Sequence, residues 1–159
     1  MGWYAMALAD ALEHFPIDHP KRGTIIGIFE RMCHAICRVQ DKDTGLWFQV
    51  LDQGRRKGNY LEASCSSMFV YSMAKGARLG FLESHFQANA ERGYAGIIER
   101  FVSEDAKGVH VCSINHGAGL SLDRDGSYSY YISEAVVSNS HIGVAPFILA
   151  SLEIEKLES

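Results

Sequence analysis

The chain has 159 residues, 47% of them hydrophobic and 21% charged, with a formal net charge of −4. That length suffices for one domain with a real core and is too short for two of ordinary size, so 1–159 reads as a single unit. The acidic balance gives no electrostatic reason to expect nucleic acid or an anionic membrane as partner, and the basic run Arg55-Arg56-Lys57 reads as a solvated turn.

Taken in order, the chain enters a helix at once. Trp3, Tyr4, Met6, Ala7, Leu8, Ala11, Leu12 and Phe15 are apolar, with Asp10, Glu13 and His14 as the polar side. Only Met1 and Gly2 precede it, with no capping residue, which suggests that preceding chain is missing. Pro16 and Pro20 enclose a loop and end that helix. A second helix is predicted over Lys21–Gln40, striped by Ile25, Ile28, Phe29, Met32, Ile36 and Val39, with Arg22, Glu30, Arg31 and Arg38 facing water. Asp41–Asn59 is a long connection with little helical pattern, and loops of that length are often functional. It carries Trp47 and Phe48, either as a sugar-stacking platform or, in the case of Trp47, as a plug for the end of the helical core.

The stretch Asn59–Phe81 organises the rest. Ser64, Ser66 or Ser67 is placed to cap a helix that is apolar almost all round from Met68 to Leu79, and Gly80 fits the left-handed position after it. Leu82–Val102 follows as an amphipathic helix, so a buried helix and an outer helix form a hairpin. Ser103–Lys107 reads as polar turn, Gly108–Ile114 as a strand, and Asn115–Gly126 as a glycine-rich loop. Ser127–Ile132 is aromatic and extended, or the start of a short helix; in the fold assignment it counts as a short β segment. Glu134–Gly143 is irregular, and Val144–Leu157 is a last helix.

Catalytic signals are sparse. No Gly-x-Ser-x-Gly elbow is present, and His110 and His116 straddle Cys112 without zinc spacing. Cys33 and Cys37 lie one helical turn apart but lack a matching second pair, so packed free thiols are the better reading, and no disulfide framework is expected. His116, between Asn115 and Gly117, either approaches a ligand or simply faces solvent. Asp10, Glu62, Asp123, Asp125 and Glu134 are carboxylates available for paired acid–base work, but spacing alone singles out no pair. With no signal peptide and no apolar run able to span a bilayer, a cytoplasmic location is the default.

Three blocks carry a resemblance: GWYAMALADALEHFPIDHPKR near the start, GNYLEASCSSMFVYSMAKGARLGF in the centre, and DGSYSYYISE followed by GVAPFILASLE near the end. They resemble glycoside hydrolase family 105, the unsaturated rhamnogalacturonyl hydrolases, which are similar to the unsaturated glucuronyl hydrolases of family 88. The resemblance covers the whole chain but only about the C-terminal half of a family member. It implies a mainly α fold, about half of a six-hairpin α/α barrel, with short β segments near 109–114 and 127–132. It also implies removal of an unsaturated uronic acid from rhamnogalacturonan fragments in pectin degradation, by hydration of the C4=C5 double bond. An aspartic acid protonates C4, water adds at C5, and the hemiketal opens. No metal and no organic cofactor is implied.

The family's two aspartates, and the Trp-x-Arg segment that leads into Gly-Trp-Tyr, lie upstream of Gly2, so the resemblance assigns no catalytic residue to this chain. Trp3 matches a tryptophan that lines the sugar pocket, Trp47 is placed like a second pocket aromatic, and His116 lies in a loop that reaches toward substrate. The implied partners are the unsaturated oligosaccharide and either a missing N-terminal half or a second copy. The alternative is a non-catalytic helical domain, a sugar-binding or structural remnant inactive alone.

Overall fold

The computed structural model describes residues 1–119 and 121–158. Leu120, inside the predicted glycine-rich loop, lies outside them. Helix α1 spans Gly2–His14 and buries Gly2, Ala5, Met6, Ala9 and Leu12, a stripe at the helical period. Gly2 has a packing reason: a Cβ there would run into the Sδ of Met68, so only glycine lets α1 approach so closely. Helix α2 spans Arg22–Arg38 and buries Phe29, Met32, Cys33 and Ile36. Arg22 does not simply face water. Its guanidinium donates to the carbonyls of Leu12 (2.8 Å) and Phe15 (2.7 Å), closing the open end of α1, because a cation suits a helix C-terminus.

Helix α3, Ala63–Arg78, is the centre of the molecule, with 13 of its 16 residues buried. It packs against α1, against α4 (His85–Phe101) and against α6 (His141–Glu158). Its end is as read from Gly80: at φ +72° that glycine lets its own N–H reach the Ala77 carbonyl and Phe81 N–H reach that of Gly76. Its start differs. No serine caps it; the Glu62 side chain accepts from the N–H groups of Ser64 and Cys65. Helix α4 begins at His85 rather than Leu82, and Leu82 is instead buried under Gly76.

Strand β1, Val102–Asp105, pairs antiparallel with β2, Gly108–Val111, where turn alone was expected before Gly108. Strand β3, Ile114–Asn115, pairs with β4, Val136–Val137. The expected β segment at 127–132 is instead the short helix α5, Tyr128–Ser133. The physical reason is local: Ser127 accepts the Tyr130 N–H on its side chain and the Tyr131 N–H on its carbonyl, committing the backbone to a helical turn. The tyrosines then find separate partners, Tyr128 on the carbonyls of Arg56 and Lys57 and Tyr130 on Gly119. Helix α6 begins three residues before the predicted Val144.

The architecture is mainly helical, with short antiparallel β segments and side-by-side helical hairpins that form a partial α/α barrel. No closed ring exists among the described residues. No helix among them is long and apolar enough to cross a membrane.

Candidate functional site

The N-terminal end of α3 opens into a cleft of about 550 Å³. Six pieces of chain line it: the start of α1, the 41–62 connection, α3, the 115–118 segment, α5 and α6. Asp41 Oδ1 accepts from the N–H of Thr44 (2.9 Å) and from its hydroxyl (2.8 Å), forming a tight turn that aims Leu46 and Trp47 inward. Asn59 stitches the other side, donating to the carbonyls of Val50 and Gln53 and accepting from Val50 N–H. These restraints present Gln49, Val50 and Leu51 to the cleft.

Trp47 is not in that wall. It is fully buried, donates Nε1–H to the Ile36 carbonyl at 2.9 Å and packs edge-on to Phe69. It is the core plug at the end of α2, and a sugar ring cannot reach it. Trp3 is in the wall: it is 60% exposed and lines the cleft from the first turn of α1. His116 is exposed and sits between the lining residues Asn115 and Gly117, while its own side chain is not part of the lining.

Three further residues line the cleft: Glu62, named from the sequence only among five available carboxylates, and Asn115 and Tyr131, given no role there. Glu62 is 1% exposed. Its Oε1 accepts from Ser64 N–H (3.0 Å), Ser64 hydroxyl (2.9 Å) and Asn115 N–H (2.8 Å), and its Oε2 from Cys65 N–H (2.6 Å). Asn115 accepts from the N–H groups of Gly117 (3.0 Å) and Ala118 (2.8 Å) and donates to the Tyr60 hydroxyl (2.9 Å). Tyr131, held on α5, supplies an aromatic wall where Trp47 was expected. The available signal for Glu62 was its place directly before the small residues opening a buried helix. Tyr131 carried none beyond its aromatic run.

The chemistry of the cleft follows from these contacts. Glu62 is the only charged side chain among the described lining residues, and its oxygens are already occupied. It also takes up the first N–H groups of α3, so the helix end is not open to an anion. Burial pushes the Cys65 thiol well above its ordinary range, and the Glu62 charge pushes the same way, so it is no thiolate nucleophile at neutral pH. Burial likewise raises the Tyr60 phenol, against the lowering hydrogen bond from Asn115. Asp10 lies outside the lining: its Oδ1 is taken by Lys75 Nζ at 2.7 Å and Tyr71 hydroxyl at 2.5 Å. Cys33 and Cys37 are free thiols, and no metal-ligating cluster occurs among the described residues.

The fold that walls this cleft is shared with solved structures, and the family match and superpositions together place the molecule in the glycosidase superfamily of families 88 and 105. A glycoside hydrolase from family 105 of C. acetobutylicum superposes with a TM-score of 0.94 at 48% identity, over 98% of this chain and 44% of that one. A possible member of the same family from Klebsiella pneumoniae gives a TM-score of 0.83 at 26% identity, over 99% of this chain and 39% of that one. Residues 1–158 match Glycosyl Hydrolase Family 88, and the chain belongs to that family. It is also 38% identical, over 169 residues, to Protein Atu3128 of Agrobacterium fabrum, covering 96% of this chain and 69% of that protein. The chain thus spans less than half the length of the solved relatives it matches.

Proposed function

We propose that the chain forms one wall of the sugar pocket of an unsaturated glycosyl hydrolase of the family 105 type. Its substrate on this reading is a rhamnogalacturonan-derived oligosaccharide ending in an unsaturated uronic acid, and the reaction is hydration of the C4=C5 bond. The observation that carries the reading is the cleft itself. Trp3 offers an aromatic face for the apolar C–H side of a pyranose, and Gln49, Asn115 and Tyr131 offer neutral polar contacts around it. On this reading the acid that protonates C4 lies in a segment other than these residues, because Glu62, the one charged side chain among the described lining residues, has both oxygens taken by donors within the fold. That segment is either a further set of helical hairpins or a second copy, docked on the exposed faces of α1 and α6.

The test uses the purified chain and the unsaturated disaccharide released by a rhamnogalacturonan lyase. Saturable quenching of tryptophan emission is expected, lost in Trp3→Ala, with no fall in the absorbance of the conjugated double bond. Turnover by the chain alone would sink the assignment of the acid to another segment. Neither binding nor turnover would favour the non-catalytic helical domain.

A further inference from the structure

Glu62 occupies an N-cap, where Ser, Thr, Asp and Asn are the usual residues. One of those shorter side chains would satisfy the start of α3. The longer side chain adds reach, since Oε1 also accepts the backbone N–H of Asn115, 53 residues along the chain in β3. Asn115 passes the restraint on. Its side-chain carbonyl takes the N–H groups of Gly117 and Ala118, and its amide holds the Tyr60 hydroxyl. Strands β3 and β4 pair over only two residues each, and His116 N–H adds one backbone bond to the Ala135 carbonyl, so beyond it the Gly117 and Ala118 amides rest on the Asn115 side chain.

Burying an ionised carboxylate carries a desolvation cost, offset only where hydrogen bonds surround it. The named partners of Glu62 are neutral donors from α3 and β3. We propose that Glu62 is the positioning residue of the cleft: acting through Asn115, it fixes the backbone of residues 115–118 as a preformed wall. The sugar that meets this wall is that of the reading above. The test needs no ligand, so its failure and the failure of that reading are distinguishable.

Amide hydrogen exchange by NMR reads the relay directly. In Glu62→Ala, exchange of the Asn115, Gly117 and Ala118 amides should accelerate at least tenfold, together with those of Ser64 and Cys65. Glu62→Gln keeps one carbonyl oxygen and should restore most of the protection at Asn115, Gly117 and Ala118 while Cys65 stays fast. A residue that only caps α3 would expose Ser64 and Cys65 and leave 115–118 unchanged; that result overturns the proposal. Should Glu62→Ala fail to fold, Asn115→Leu gives the order of the relay. Gly117 and Ala118 should exchange faster while the amide at 115 stays protected by Glu62, and loss of protection at 115 itself would overturn the proposal.

Discussion

Two tryptophans of this chain have opposite fates, and the cause lies in their neighbours. Trp3 was grouped with the apolar side of its helix, yet the face that packs is the stripe of Ala5, Ala9 and Leu12, which leaves Trp3 exposed on another face. Trp47 sits in a loop, where no periodicity reports burial. Its slot is cut by Gly93 of α4: a Cβ there would stand 2.9 Å from Trp47 Cζ3 and 2.8 Å from Val70 Cγ2. That complementarity joins residues far apart in sequence, and no local pattern displays it. The difference predicts stability. Trp47→Ala should cost about 3–5 kcal/mol, the usual range for deleting a buried large aromatic, whereas Trp3→Ala should stay within about 0.5 kcal/mol. Urea midpoints of the two variants check this, and equal losses would contradict the assignment of Trp47 as plug and Trp3 as wall.

At the scale of elements, the buried character of α3 was plain from its run of apolar residues, but nothing in that run named the partners of its charged residues. The structure gives them partners. Lys75, 7% exposed, reaches Asp10 (2.7 Å) and Glu13 (2.8 Å) on α1, and Arg78 reaches Glu153 on α6 at 2.7 Å, so each ties α3 to a neighbouring helix. The aromatic run at 127–132 misled for a related reason: tyrosines favour strands on average, but a capping serine and separate hydroxyl partners settled this one as a helix. The α3–α6 tie has a pH signature. Burial alone would raise the Glu153 carboxyl, yet the hydrogen bonds from Arg78 and Lys156 outweigh it and hold the carboxyl below its ordinary range. A carboxylate depressed in the folded state stabilises above its unfolded pKa and loses that contribution as pH falls through the folded value. Glu153→Gln should therefore be less stable than the parent at pH 7 by about 1.5–3 kcal/mol, the range for hydrogen bonds to a charged group. The gap should narrow as pH falls below the ordinary carboxylate range, and a gap independent of pH in chemical denaturation would refute the linkage.

For the whole molecule, individual helices could be read from periodicity, but their arrangement around a ring could not. Periodicity tells which face of a helix is dry without naming what covers it, and the half-barrel came only from resemblance. The outer helices bear this out simply, since α2 and α4 each hide one stripe. The flanking helices carry more apolar surface than these hairpins cover. On α1, Trp3, Tyr4, Ala7 and Ala11 remain exposed, and on α6 so do Ala145, Ile148, Leu149 and Leu152, with Ile148 at 52% and Leu152 at 46%. Apolar helix faces of this kind mark contact surfaces when they are contiguous. In the proposed function, further hairpins or a second copy cover them. The chain alone should then associate with itself as concentration rises, because the same faces are the apolar surfaces left to meet. Ile148→Lys with Leu152→Lys places two charges on the α6 face without touching the buried Ala150 and Ile154 beside them. Sedimentation equilibrium should show the parent heavier than a monomer at tens of micromolar and the double variant shifted toward monomer, with helical circular dichroism unchanged. A parent that stays monomeric throughout would mean that these faces tolerate water by themselves, and the docking of further hairpins on α6 would lose its physical motive.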